Sequence, residues 1–280
     1  MQIKFKSPFI NLIIQVVHKI NDWLERCRIR VYAAQASFFI TISTLPFLIL
    51  LLTMAGTLMP REGSMIKEAI LDVIPEDFAG LAETLLDEVS EKSNMQLLSV
   101  SAVTLLWSAS RGIRGIGAGI RNVYGGKRDG DIIKYTAKAI IYTLLWMLTV
   151  IMTLVIWVFG DTILSHTPAG TAHGFLRLLN SGAFLIILTA VFALTYKGYA
   201  GRKVKFFSQL WGALFSAVAW FLYSRFFEFY IENFADYSYI YGSLTSLIIV
   251  MLWLYSCMEI LLIGAGINVF AEDKVYKNKA

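Results

Sequence analysis

The basic residues of this chain fall in alternate gaps between long apolar segments, and this alternation limits the fold more than any other feature. The chain has 25 Lys and Arg residues. Lys4, Lys6, Lys19, Arg26, Arg28 and Arg30 precede the first apolar stretch. Arg111, Arg114, Arg121, Lys127, Arg128, Lys134 and Lys138 follow the second, and Lys197, Arg202, Lys203 and Lys205 follow the fourth. Lys274, Lys277 and Lys279 come after the last. The remaining gaps hold only Arg61, Lys67, Lys92 and Arg177, while Arg225 lies inside a stretch. Basic loops stay on the cytoplasmic side of a membrane. The pattern therefore predicts an all-α, polytopic protein: six transmembrane helices with both termini in the cytoplasm.

Composition agrees. Hydrophobic residues make up 57% of the chain and charged residues 16%, against roughly 25% charged in soluble domains. A length of 280 residues accommodates six spans of about 20 residues each with modest loops, and leaves no room for a separate soluble domain. The net charge of +5 is better read by side. A basic inner face suits an anionic leaflet, so membrane lipids are the expected partners and nucleic acid is not. Cys27 and Cys257 fall at different depths, which argues against a disulfide. Gln15 and His18 interrupt the short apolar run of the N-terminus and no small-residue cleavage site follows, unlike a cleavable signal.

The expected segments follow from these patterns. Residues 1–35 form a cytoplasmic amphipathic segment. Its helix starts at Ser7-Pro8 and carries Phe9, Ile13, Val16, Ile20, Trp23 and Leu24 on one face, either in the membrane interface or packed under the bundle. Residues 36–271 form the membrane domain, with spans at about 36–59, 95–115, 139–159, 178–196, 206–231 and 242–271, and 272–280 form a cytoplasmic tail. Pro46 inside the first span predicts a helix kink, with Ser43 or Thr44 available to the carbonyl it frees. The acidic outer loop 60–94 reads as a helical hairpin. Tyr230, Tyr237, Tyr239 and Tyr241 fit an outer aromatic belt.

The second span is the most informative helix. Ser101, Thr104, Ser108, Gly112, Gly115 and Gly119 recur at intervals of three and four, which places six small residues on one stripe. Such a stripe lets another backbone approach closely. Arg111, Arg114 and Arg121 form a neighbouring stripe suited to lipid phosphates. Gly125-Gly126 should end this helix at about Tyr124. Gly212, Ser216 and Ala219 give the fifth span a small-residue stripe of its own.

Catalytic chemistry finds little support. His18 is separated by the bilayer from His166 and His173, and no zinc or nucleophile motif occurs. Gly126-Lys127 fails as a phosphate-binding loop, because Arg121 stands where its first glycine belongs and Arg128 follows the lysine. No metal, cofactor or catalytic residue is expected. The better candidates for a substrate path are the ionisable groups inside apolar segments: Glu259, and the pair Arg225 and Glu228. A charge at the centre of a membrane helix costs roughly 2.5–3.5 kcal/mol on insertion scales, so such groups face protein or water.

Two stretches carry a family resemblance. One is Trp107-Ser-Ala-Ser-Arg-Gly-Ile-Arg114, continuing to Asn122-Val-Tyr-Gly125. The other is Tyr241-Gly-Ser-Leu-Thr-Ser, followed by Leu252-Trp-Leu-Tyr255 and Gly264-Ala-Gly-Ile-Asn268. With Ala33–Ser37 and Leu45-Pro46 they resemble the YihY/BrkB family over about residues 20–272. The family carries a Glu just before the last Asn, where this chain has Ile267. The resemblance implies a six-helix protein of the bacterial inner membrane with no established reaction; some members bear an old ribonuclease BN label for tRNA processing. Three functional expectations follow. The protein moves or accommodates a lipid or other amphiphile without catalysis; or it is a scaffold binding itself or another membrane protein through its small-residue stripes; or it processes tRNA as that label says.

Overall fold

A computed structural model describes residues 18–19, 21–58, 95–127, 132–165, 171–234 and 244–277. The expected outer hairpin (60–94), most of the tyrosine belt and most of the amphipathic N-terminal segment lie outside these residues. The described chain is helical: α1 (Ile29–Leu58), α2 (Met95–Tyr124), α3 (Ile132–Ser165), α4 (Thr171–Tyr199), a 3-10 turn (Phe207–Gln209), α5 (Leu210–Phe234) and α6 (Leu244–Lys277). Residues 21–26 add a short helical stretch before α1.

Glycine in a helix interior costs up to about 1 kcal/mol against alanine, yet α2 carries four between residues 112 and 119. Three of them lie against α1. A Cβ at Gly112 would sit 2.9 Å from Ile40, one at Gly115 would sit 3.3 Å from the Ala36 nitrogen, and one at Gly119 would meet both Tyr32 and Leu262 of α6. The glycines thus exchange intrinsic helix stability for a close backbone approach. The order of contacts makes α1 and α2 antiparallel.

The helix end at Tyr124 is a Schellman turn. Gly125 has φ +62°, its N–H donates to the Asn122 carbonyl, and the Gly126 N–H donates to that of Arg121. Glycine takes this left-handed geometry without strain. Gly201 (φ +67°) closes α4 in the same region, and its carbonyl accepts from the Lys127 N–H at 3.2 Å. The two turns are therefore stitched together.

Other pairs also run antiparallel. Lys138 lies over the Tyr199 ring, and Trp146 Nε1 donates to Thr195 Oγ1, pairing α3 with α4. Trp253 Nε1 donates to Ser224 Oγ, Ser216 Oγ donates to the Ile260 carbonyl, and Gly212 meets Asn268, pairing α5 with α6. These directions bring the start of α1, the α2–α3 turn, the α4–α5 connection and the end of α6 together. The alternate basic segments of the sequence thus lie at one end of the bundle, called the basic end below.

Ile29, Ile116, Ile120, Phe192, Tyr196, Met258 and Leu261 fill the core. The outer surface is apolar as well: Ile133, Ile141, Ile186, Phe207 and Trp211 are each more than 60% exposed. So much exposed apolar side-chain area marks a surface made for a non-aqueous neighbour. Among the described residues, Ile133–Thr153, Phe207–Ile231 and Leu247–Glu272 are long and apolar enough to cross a membrane, and Phe184–Tyr199 is a shorter apolar stretch.

α1 runs continuously through Pro46. Ser43 and Thr44 hydroxyls both donate to the Ile40 carbonyl, at 2.7 and 3.2 Å. Neither reaches the Ile42 carbonyl that the proline frees. Their hydroxyls follow the usual back-bonding geometry of helical Ser and Thr.

Candidate functional site

Glu259 sits near the middle of the Leu247–Glu272 stretch. At ~1.5 Å per residue it lies about 19 Å along the axis from Glu272. Its Oε1 is 3.6 Å from Arg30 Nε of α1, with the two side chains 22% and 53% exposed. Arg30 Nη2 also donates to Asn21 Oδ1, and Asn21 Nδ2 donates to Glu25 Oε1. Arg30, which the sequence places before the first span, therefore reaches halfway along α6.

The segment 21–30 explains how. The Trp23 ring packs on Phe270 at 5.6 Å and fills the space left by Gly266. Asn122 Nδ2 donates to the Cys27 carbonyl at 2.8 Å, and Arg28 turns the chain with φ +50°. Burial raises the Cys27 thiol pKa, although neighbouring Arg26 opposes that shift. Asp22, Glu25, Arg26, Arg28 and Arg30 are exposed on this segment. One flank of the bundle is thus polar from the basic end to the middle of α6, while α3 and α5 present apolar side chains elsewhere.

The other candidates occupy different places. Arg225 Nη1 donates to Glu228 Oε2 at 2.9 Å, and this pair is exposed on α5. Ser224 lies opposite Trp253 and Ser216 opposite Ile260, which sets the pair further from the basic end than Glu259. The structure does not bring the two groups together.

The arginine stripe of α2 divides into three environments. Arg111 is exposed and stacks on Trp107 (4.4 Å) and Phe39 (5.5 Å). Arg114 is half-buried. Arg121 is buried, with its guanidinium over the Tyr135 ring. The small-residue stripe faces the chain's own helices: Ser101, Ser108, Gly112, Gly115 and Gly119 are buried, and the last three lie against α1. Thr104 is exposed, and its carbonyl accepts from Ser108.

A polar lock at the basic end escaped the sequence reading. Glu272 accepts from Arg202 Nη2 (2.8 Å), Ser208 Oγ (2.8 Å) and Gln209 Nε2 (2.9 Å). Tyr124 donates to Gln209 Oε1. Burial, reinforced by Glu272, pushes the Tyr124 hydroxyl well above its usual pKa, against the opposing effects of Asn268 and Arg202. Asn268 bridges the start of α5: its Oδ1 accepts from the Gly212 N–H at 2.7 Å, and its Nδ2 donates to the Gln209 carbonyl at 3.1 Å. Deeper in, Tyr196 donates to the Leu261 carbonyl at 2.7 Å and meets Ser216 Oγ at 2.9 Å. The sequence did single out Gly264–Asn268 as a motif, and that was the available signal. Ile267, beside Asn268, is half-buried. Among the described residues, no three His, Cys, Asp or Glu side chains gather as metal ligands.

The chain as a whole is similar to known proteins. The family model described as Virulence factor BrkB matches residues 22–280. A Bacillus subtilis relative named as a ribonuclease-like protein, YfkH, is 28% identical over 247 residues, covering 86% of this chain and 90% of its own. A UPF0761 membrane protein of Vibrio vulnificus is 25% identical over 258 residues, covering 86% of this chain and 77% of its own. Another UPF0761 membrane protein, from Chlorobium phaeobacteroides, is 36% identical over 89 residues, 32% of this chain and 20% of its own. No solved structure matches the chain. With the apolar helices described above, the match over almost its entire length places this chain in the BrkB family of membrane proteins.

Proposed function

We propose that this protein accommodates an amphiphile, such as a phospholipid or a lipopolysaccharide precursor, along the polar flank between α1 and α6 and lets it cross the membrane without covalent chemistry. The observation that carries this reading is the partly exposed Arg30–Glu259 pair halfway along an apolar candidate span. A buried charge pair needs no solvent, and a lipid-facing one is costly. A pair that is ionic, mid-span and accessible suits a surface wetted by water or head groups. The continuous polar face of residues 21–30 leads to it from the basic end, beside apolar surface that suits acyl chains.

The reading includes a topology: six crossings of the bacterial cytoplasmic membrane, with the basic end in the cytoplasm. Its support is the gathering of the alternate basic segments at one end of the bundle.

The test uses the purified full chain in liposomes with a fluorescent reporter phospholipid and an impermeant quencher. Wild type accelerates transbilayer movement over empty liposomes, and Glu259→Ala slows it several-fold, while Gly182→Ala on α4 leaves it unchanged. Equal rates for wild type, Glu259→Ala and empty liposomes would end the proposal.

A further inference from the structure

Arg111 is an exposed charge on the outer face of α2, and its described contacts are two aromatic rings. The guanidinium carbon lies 4.4 Å from the Trp107 ring centroid and 5.5 Å from that of Phe39 on α1. Among the described residues, no carboxylate or carbonyl accepts a hydrogen bond from it. The surface around it is apolar: Val100 and Val103 of α2, and Phe38 and Ile42 of α1, are exposed.

The packing fixes its depth. Gly119 lies against Leu262 of α6, and both helices finish at the basic end. Arg111, two turns before Gly119, is therefore level with about Leu254, well inside the apolar Leu247–Glu272 stretch. Along α2 it lies about 20 Å from Tyr124 and about 24 Å from Met95, at ~1.5 Å per residue. A long basic side chain beside lipid usually snorkels to the interface. Arg111 leans the other way from the basic end. Its guanidinium covers Trp107, one turn earlier, as helical side chains tilt toward the N-terminus. The charge thus stays near the middle of α2.

Ring faces offset part of a cation's charge but accept none of the five guanidinium N–H donors. A charge facing acyl chains at this depth is costly. Water would accept the hydrogen bonds and leave the charge. An oxyanion answers both needs, since the guanidinium fork matches phosphate oxygens. The described carboxylates of the helices are engaged elsewhere: Glu228 with Arg225, Glu259 with Arg30 and Glu272 with Arg202. In a bilayer the anion at hand is the phosphate of a lipid, and the apolar side chains around Arg111 suit its acyl chains.

We propose that the α1–α2 face binds the phosphate of a membrane lipid at mid-depth, with Arg111 donating to its oxygens while Trp107 and Phe39 hold the guanidinium. This site is distinct from the α1–α6 flank. Phe39 and Arg30 are about two and a half turns apart, so they project from opposite sides of α1. The lipid is held there whether or not lipids cross along that flank.

The experiment measures lipid retention by the full chain in neutral detergent with native mass spectrometry. Phosphatidic acid is compared with diacylglycerol, which lacks only the phosphate, and with oleate, which offers a carboxylate. Wild type retains phosphatidic acid over both. Arg111→Gln removes the charged donor and weakens retention by about tenfold or more. Trp107→Leu removes the supporting ring and weakens it by about threefold, and carries the test should Arg111→Gln fail to fold. Lys197→Gln, the same loss of charge at an exposed position of α4, leaves retention unchanged. A second measurement reads the depth: in liposomes, phosphatidic acid with a photoreactive group beside its phosphate crosslinks to residues 103–111. Equal retention by wild type and Arg111→Gln, preference for oleate, or crosslinks confined to the basic end would each overturn the proposal. So would wild type without phosphate-dependent retention, the result expected if an acid of the 60–94 segment already occupies Arg111. Failure of the liposome transport assay with Arg111-dependent retention intact would reject the lipid path and leave this site standing.

Discussion

At the scale of the residue, Glu272 and Arg202 show why an ion pair is a poor unit of account. The pair is short, at 2.8 Å, but Arg202 is 39% exposed, and exposed pairs contribute only about 0–1 kcal/mol. Glu272 also satisfies Gln209, which is fully buried. Gln209 Nε2 keeps the Lys205 carbonyl and Ser208 Oγ as acceptors without Glu272, but each hydrogen bond to a charged acceptor contributes roughly 1.5–3 kcal/mol. Arg202→Ala should therefore lower stability in detergent by under about 1 kcal/mol, and Glu272→Ala by roughly 1.5–3 kcal/mol. Thermal unfolding of both variants checks the order; equal losses would mean the carboxylate acts through Arg202 alone. Asn268 follows the same logic. It caps the otherwise unsatisfied Gly212 N–H at the first turn of α5, a position every helix must satisfy somehow. Asn268→Asp keeps that acceptor but sets an oxygen against the Gln209 carbonyl, so it should destabilise the protein nearly as much as Asn268→Ala in the same measurement.

At the scale of the element, spacing reveals which face of a helix is special but not what covers it. The three- and four-residue intervals of α2 are visible in the sequence, as is its end at Gly125-Gly126. The all-helical fold and its charge alternation are visible too. That Gly112 and Gly115 meet α1, and that Gly119 also meets α6, is fixed by contacts between residues far apart in the sequence, which periodicity does not encode. Arg30–Glu259, Tyr199 with Lys138, and Asn268 with Gly212 stayed hidden for the same reason. The α5–α6 crossing supplies a test of close approach. A Cβ at Gly264 would fall 2.5 Å from the Gly212 carbonyl and 2.7 Å from Tyr196 Oη, whereas one at Gly182 of α4 meets nothing within 4 Å. Backbone cannot yield as a side chain can, so Gly264→Ala should destabilise by about 1–3 kcal/mol or more. Gly182→Ala should be neutral or stabilising by up to about 1 kcal/mol. Unfolding measured side by side, with Gly264→Ala as stable as wild type, would mean that the helices can part freely.

At the scale of the whole molecule, the question is which medium each side of the bundle meets. The antiparallel pairing collects Arg26, Lys127, Lys203 and Lys205 at one end, so two distant turns can report the threading. In a background of Cys27→Ser and Cys257→Ser, an impermeant thiol reagent should label Lys127→Cys and Lys203→Cys from the same, cytoplasmic face, and Glu83→Cys from the opposite face. Labelling of the first two from different faces would break the bundle's directions. The flank needs a different probe, because Arg30–Glu259 looks the same in water and in hydrocarbon. Its energetics differ. In a wet flank, removing one partner of an exposed pair forfeits about 0–1 kcal/mol. Against acyl chains it leaves an unpaired charge, costing about 2.5–3.5 kcal/mol or more. The proposed lipid path requires the wet case. Glu259→Ala should therefore reduce stability in a bilayer by under about 1 kcal/mol while slowing lipid movement, and Arg30→Glu combined with Glu259→Arg should restore that movement. A loss of several kcal/mol in the bilayer would place the pair against acyl chains, where no head group could follow.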